Sequence, residues 1–400
     1  MAPLNWYYAL TIIVIACGSI PKGYDEGGFA AASGLESFLA DFHLTRGRWT
    51  GSPSQLASRR AIVTSLGVLG AALGAVVAVA VVDRIGRLRA WQVFAALWMT
   101  GFFAATFSSG RLPLLLFARI WGGLGAGGLT VVAPLYLTEI APSSSRGMVV
   151  SVYMVILLSF LMAGFFINYA ALKTLPPSRE QYRVVLAIPQ IPVGLVLIAS
   201  LFLYDTPRWL ASKNRGQEAL HVLAKLRGAD THDPAVLREF DEMQRQIHDK
   251  SQVLAGTSTW TIVKEVATVS SYRRRFLLGV TMQTVAQWSG GNGITYYITE
   301  IFRLAGVSSK RHSLVTAGSY GATKLVFTII FTWGLIDYFG RRRCFMAGLA
   351  LQFATHIYMA VYMAVWREAK NRAASDAAVA TCTGPRSCRR GCAACATRPT

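Results

Sequence analysis

Arg119 lies inside an otherwise uncharged apolar run, residues 112–136. An arginine at the centre of a spanning helix costs about 2.5–3.5 kcal/mol on insertion scales, so it is expected to face a protein interior and to have a partner there. Asp25, in Gly-Tyr-Asp-Glu-Gly at 23–27, is the first candidate, and Glu26 the second. A buried carboxylate against a guanidinium can take up a proton when the pair opens and give it back when the pair closes. That is the chemistry of a proton-coupled carrier, although the same pair can be purely structural. Lys324, in the run 313–336, is a second intramembrane cation that either lines a cavity or snorkels to the interface. Neutral hydrogen-bonding groups gather in the run 276–302: Gln283, Gln287, Ser289, Asn292, Thr295, Tyr296 and Tyr297. Gly290 and Gly291 interrupt that run at mid-membrane, where unwound backbone is tolerated only beside a cavity. Amides and phenols around such a break suit a polyhydroxylated ligand. Hydrogen bonding between helices is the plainer use of the same groups.

The elements that must carry these residues are apolar runs at about 4–21, 61–82, 90–109, 112–136, 147–172, 184–204, 276–302, 313–336 and 344–365. Each is near the length that about 30 Å of hydrocarbon requires of a helix, which makes about nine spans in an all-α membrane protein. The first run also has the length of a signal-peptide core, but Met1 to Tyr8 carries no basic residue and no clean cleavage site follows. The run from Ala61 closes with Asp-Arg-Ile-Gly-Arg-Leu-Arg, placing Asp83, Arg84, Gly86, Arg87 and Arg89 in one turn. Ser319–Ile336 closes in the same way with Asp337, Gly340, Arg341, Arg342 and Arg343. An apolar span ended by the same charged turn in both halves suggests internal duplication.

Composition narrows the class. Of 400 residues 53% are hydrophobic and 15% charged, and the net charge is +20. A mean hydropathy of +0.40 is too apolar for an ordinary soluble chain of this length. The basic residues fall in short clusters between apolar runs, so the partner they suggest is a bilayer with anionic lipid and not a nucleic acid. Gly123-Leu-Gly-Ala-Gly-Gly128 formally matches a dinucleotide-binding glycine pattern, yet no strand precedes it. Small residues in a spanning helix more commonly let helices pack closely. Cys382, Cys388, Cys392 and Cys395 crowd the tail, where zinc or disulfide chemistry is conceivable, but no histidine follows Cys382. No metal, cofactor or enzymatic activity is expected, since the spans contain no nucleophile–base pair and no metal-ligand cluster.

Short connections such as 83–89 and 137–146 make neighbouring helices antiparallel. The modest bias of Arg84, Arg87, Arg89, Arg146, Arg273–Arg275 and Arg341–Arg343 to one side puts the amino terminus in the cytosol. Four segments are expected: an amino-terminal six-helix bundle over 1–204, a cytoplasmic linker with amphipathic helices over 205–275, a partial three-helix bundle over 276–366, and a disordered or aberrant tail over 367–400. Within the linker, Asp233 and Pro234 read as the cap and first residue of a helix, and a shorter helix over Gln217–Arg227 ends before Gly228.

Seven stretches in order resemble the major facilitator superfamily, and within it the sugar-porter branch with a fungal hexose or quinate permease flavour. They are Gly-Tyr-Asp-Glu-Gly at 23–27, Asp83–Arg89, Arg119–Gly128, Pro134–Gly147, Asp-Thr-Pro-Arg-Trp-Leu at 205–210, Gln287–Tyr297, and Asp337–Arg343. The resemblance implies two six-helix bundles rocking about a central site, and a multi-pass protein of the plasma membrane that takes up a monosaccharide or quinate-like polyol by proton symport. It implies proton coupling at Asp25 with Arg119, and substrate contact by Gln287, Asn292, Tyr296 and Tyr297, alongside Gln283 and Lys324 from the reading above. A cytoplasmic gate would be formed by Asp83, Arg84, Gly86, Arg87, Glu139, Arg146, Arg208, Asp337, Gly340, Arg341 and Arg342. Ala286 and Met154 stand where the family usually has polar ligands. About nine of the usual twelve helices are recognisable, so a carboxy-terminally truncated carrier is expected. A sugar sensor that does not transport, and an inactive truncated fragment, are the rival readings.

Overall fold

The spacing of apolar residues is realised as helices throughout the computed structural model, which describes residues 5–45, 53–142, 145–254, 259–304 and 310–382; no strand occurs among them. The first apolar run and the residues that follow it form α1 (Trp6–Ala16), α2 (Ile20–Tyr24) and α3 (Ala30–Ala32), joined by a 3-10 turn at Cys17–Ser19 and a π turn at Asp25–Phe29. Then come α4 (Glu36–Asp41), α5 (Pro53–Ile85), α6 (Arg87–Thr106), α7 (Leu112–Ile140), α8 (Arg146–Thr174), α9 (Arg179–Ala187) and α10 (Gln190–Ser200). The polar stretch holds α11 (Pro207–Ser212), α12 (Gly216–Arg227), α13 (Pro234–Leu254) and α14 (Thr259–Thr268). It is followed by α15 (Ser270–Trp288), α16 (Gly291–Leu304), α17 (Lys310–Ile330), α18 (Ile336–Phe339) and α19 (Arg341–Cys382).

Six described helical stretches are long and apolar enough to cross a membrane: Ser58–Ile85, Leu112–Ile140, Arg146–Thr174, Arg179–Ser200, His312–Leu335 and Arg342–Trp366. The other three apolar runs are helical too, as α1–α2, as α6, and as α15–α16 broken at Gly290. The chain divides into two compact units, Met1–Arg303 with Val307–Trp333, and Leu304–Gly306 with Gly334–Thr400.

Small residues bring the helices of the first unit together. A Cβ on Gly74 would lie 2.0 Å from the Leu124 carbonyl, and one on Gly127 1.9 Å from that of Ala71, so α5 and α7 touch backbone to backbone. Gly23 and Gly27 meet the Leu157 and Leu161 carbonyls of α8 in the same way. The Gly123–Gly128 run is thus a packing face, as small residues in spanning helices commonly are. Trp91, Trp98, Phe94 and Tyr136 fill the interior, while Val76, Val79, Leu195 and Ile198 are exposed on the outer surface, as expected of a lipid-facing side.

Within the linker, α12 docks on the bundle. Gly228 ends α12 in the left-handed region at φ +68°, and the Asp233 carboxylate accepts the Ala235 N–H at 2.7 Å to start α13. Buried Val222, Leu223 and Leu226 line one face of α12, the Asn5 amide donates to the Lys225 carbonyl, and Arg227 donates to the Ile140 carbonyl at 3.2 Å. In the second unit, α19 runs on to Cys382 through the alanine-rich part of the stretch expected to be disordered, alanine being the strongest helix former. Residues 383–400, with Cys388, Cys392 and Cys395, lie outside the described residues.

Candidate functional site

The π turn between α2 and α3 places Asp25 toward α7. Arg119 meets it with both terminal nitrogens, Nη1 to Oδ1 at 2.5 Å and Nη2 to Oδ2 at 3.1 Å, a bidentate pair. Nε donates to the Val63 carbonyl at 3.2 Å, and the guanidinium lies 3.6 Å from the centre of the Phe29 ring. Arg119 is 3% exposed, so its charge is met entirely by these groups. Space for it comes from Gly67 of α5, where a Cβ would sit 2.2 Å from Nη2.

A second side of the site comes from α16. Its predecessor α15 ends at Trp288, Gly290 turns the chain at φ +76°, and α16 restarts at Gly291, which is the break expected from the glycine pair. Tyr296 then reaches the Asp25 carboxylate, its hydroxyl donating to Oδ2 at 3.4 Å. Lys22, one turn before the acids, pairs with buried Glu26 at 2.9 Å and approaches the Tyr296 hydroxyl at 3.5 Å. Lys22, Asp25, Trp98, Phe102, Arg119 and Tyr296 share a narrow cleft. The neighbouring residue Thr295 is fully buried; its hydroxyl lies 3.1 Å from that of Tyr320 and accepts from Lys324 Nζ at 3.1 Å.

The remaining expected ligands are not gathered there. Gln283, Gln287 and Tyr297 are exposed, and α15 buries none of its residues. The side chain of Asn292 lies outside the described residues.

At the charged turn after α5, Arg87 is the hub. It donates through Nε and Nη2 to Glu139 at 3.0–3.2 Å and pairs with Asp83 at 2.9 Å. Glu139 also accepts the Thr206 hydroxyl at 2.6 Å. Asp205 caps the turn from the other side, its Oδ1 accepting the N–H groups of Arg87 at 3.0 Å and Leu88 at 3.3 Å. Burial pushes the Asp205 carboxyl up from its ordinary range, opposed by hydrogen bonds from the backbone of Thr206, Leu88 and Arg87. Arg84 and Arg146 are exposed and Arg208 half-buried, and none makes an ion pair among the described residues. In the second unit Gly340 has φ +81°, the counterpart of Gly86 at φ +102°, and Arg342 is exposed. The side chains of Asp337 and Arg341 lie outside the described residues.

Sequence reasoning missed several participants. Lys22 carried a signal, its i,i+4 spacing from Glu26 on a helix; Glu26 was weighed as a partner for Arg119 and pairs with Lys22 instead. Asp205 and Thr206 were seen as part of a motif but given no role. Gly67 and Phe29 carried no signal, since a glycine or a phenylalanine in an apolar run looks like any other.

The family model described as Sugar (and other) transporter matches residues 11–384. Curated relatives include the quinate permease of Emericella nidulans, 30% identical over 348 residues, covering 86% of this chain and 64% of the relative. The quinate permease of Neurospora africana is 28% identical over 350 residues, with 87% and 64% covered. The chain therefore spans a little under two thirds of the length of these relatives. Among solved structures, the major facilitator superfamily proton:xylose symporter XylE bound to 6-bromo-6-deoxy-D-glucose superposes with a TM-score of 0.73 at 21% identity, covering 85% of this chain and 71% of that one. XylE from E. coli in a partially occluded inward open conformation gives 0.69 at 21%, with 84% and 74% covered. At that identity the likeness is one of fold.

Proposed function

Since this chain belongs to the Sugar (and other) transporter family of the major facilitator superfamily, we propose that it is a membrane carrier that moves a monosaccharide or quinate-like polyol by alternating access, driven by protons. The observation that carries this reading is the buried bidentate pair of Asp25 and Arg119 with Tyr296 of α16 leaning on the same carboxylate. Protonation of Asp25 removes the charge that holds both guanidinium nitrogens. Arg119 keeps the Val63 carbonyl and the Phe29 ring, so it stays buried while its grip on Asp25 loosens. Tyr296 answers to the same event, and it is also a substrate-contact candidate. A proton on Asp25 and cargo beside Tyr296 thereby bias one equilibrium, which is what coupling requires.

In this reading Gln283 and Gln287 come to the cargo in a conformation other than this one, and Arg87 with Glu139 holds the cytoplasmic gate closed in one state of the cycle. The quinate permease relatives and the proton:xylose symporter of similar fold support the cargo class and the coupling. A plasma-membrane setting with the amino terminus in the cytosol completes the proposal.

The test is uptake of labelled quinate and labelled hexose by the 400-residue chain in proteoliposomes under an imposed pH gradient. One of the two is expected to accumulate, and Asp25→Asn is expected to abolish accumulation driven by the gradient while leaving binding in place. Binding without any gradient-driven uptake would favour a sensor. Absence of both binding and uptake would sink the carrier reading.

A further inference from the structure

Lys324 stands at the middle of its span. It follows His312 by twelve residues and precedes Leu335 by eleven, which puts it about 16–18 Å from either end at ~1.5 Å of rise per residue. A four-carbon stem covers only a fraction of that distance, so its ammonium cannot snorkel to the headgroups. The charge has to be met inside the protein.

The other two intramembrane cations of the site are met by carboxylates, Arg119 by Asp25 and Lys22 by Glu26. Lys324 is not. Its ammonium donates to the Thr295 hydroxyl at 3.1 Å and lies 5.3 Å from the centre of the Tyr320 ring, and among the described residues no carboxylate comes within ion-pair distance. The Thr295 hydroxyl is committed on its own donor side to the Gly291 carbonyl at 2.9 Å, just past the break in the helix. The ammonium is thereby aimed by neutral groups and retains two N–H donors. Thr295 and Tyr296 are consecutive residues, so this cation lies one residue along α16 from the tyrosine that touches Asp25.

Resting on the carrier reading above, we propose that Lys324 is the carboxylate receptor of the substrate site, and that the cargo is a polyhydroxylated carboxylic acid in its anionic form and not a neutral sugar. Two free N–H donors match the two oxygens of a carboxylate, and the arriving anion supplies the counter-charge that no described carboxylate provides. The cargo hydroxyls fall to the phenols and amides of α15 and α16. A neutral hexose leaves the ammonium uncompensated, so it is rejected by what it fails to bring.

The experiment measures thermal stabilisation of the purified 400-residue chain by quinate and by glucose. Quinate is expected to stabilise it and glucose at the same concentration is not. Lys324→Gln is expected to weaken quinate binding by about tenfold or more, the loss typical of truncating one member of a buried charge pair. Lys324→Arg, which keeps the charge, should restore most of it. Should Lys324→Gln not fold, Lys324→Met, with an unbranched apolar side chain suited to the span, takes its place. Quinate binding that survives loss of the cation, or stabilisation by glucose but not quinate, overturns the carboxylate assignment and leaves the carrier reading standing. Stabilisation by neither overturns both.

Discussion

At the scale of single residues, the site depends on a side chain that is absent. Arg119 can lie flat against Phe29 and reach Asp25 with both nitrogens only because Gly67 presents no Cβ. Gly67→Ala would put a carbon 2.2 Å from Nη2, so either α5 retreats from α7 or the guanidinium leaves its bidentate geometry. The expected loss is about 1–3 kcal/mol of stability, the usual cost of overpacking, and proton-driven uptake should fall further than binding does. Unchanged melting together with unchanged uptake would show that the guanidinium does not need this space. The pairing itself was legible in the sequence, because a lone arginine in an apolar run needs an acid and few are near. The glycine that permits it was not, since nothing distinguishes Gly67 from Gly70 or Gly74 until the neighbouring helix is in place.

At the scale of elements, the duplicated charged turn offers an internal control. Gly86 and Gly340 hold the same position in the two motifs, and both have positive φ, +102° and +81°. The turn was legible from its spacing, and the backbone accounts for its glycine, which is nearly strain-free where an L side chain is not. Their surroundings differ. A Cβ on Gly86 would lie 2.2 Å from Asp205 Oδ2, whereas one on Gly340 meets nothing within 4 Å among the described residues. Gly340→Ala is therefore expected to cost only the backbone strain, about 1–3 kcal/mol, and Gly86→Ala to cost more because the Asp205 cap is displaced as well. Equal losses in thermal melts would argue that Asp205 does not brace the turn. Asp205 also sets a pH dependence. Its folded carboxyl is raised above the ordinary value of 3.8, chiefly by burial, so the folded state holds this proton more tightly than the unfolded chain. Its contribution is present below that ordinary value and lost as pH rises through the folded one. Asp205→Asn keeps an oxygen to accept the Arg87 and Leu88 N–H groups. It should therefore melt no lower than the parent at pH 7 and lose this part of the acid dependence; a clearly lower melting temperature at pH 7 would mean that the charge itself is needed.

At the scale of the molecule, an alternating-access carrier needs contacts that hold one conformation firmly and can still be given up. The cluster around Arg87 has that character. One guanidinium links the end of α5 through Asp83 to the end of α7 through Glu139, and Glu139 in turn holds Thr206 at the start of α11. These contacts are strong because Glu139 and Arg87 are largely buried, with side chains 8% and 11% exposed, and they are reversible because every one is polar and could be replaced by water. The sequence pointed to Arg87 and Glu139 by their place in two charged motifs. It could not say that Arg84, Arg146 and Arg208 would stand aside, since which face of a short turn meets its neighbour is decided by packing and not by composition. Glu139→Gln tests the cluster as a latch. The amide can still accept from Arg87 and Thr206 but no longer neutralises the guanidinium, so the cost should be about 1–3 kcal/mol, that of weakening a charge-assisted bond into a neutral one. If these contacts bias a two-state equilibrium, the cost appears as opening and not as general unfolding. Hydrogen exchange should then quicken over residues 83–90 and 205–210 while amides around Asp25 and Arg119 keep their protection. Uniformly faster exchange across the first unit would mean that Glu139 holds up the fold as a whole and gates nothing.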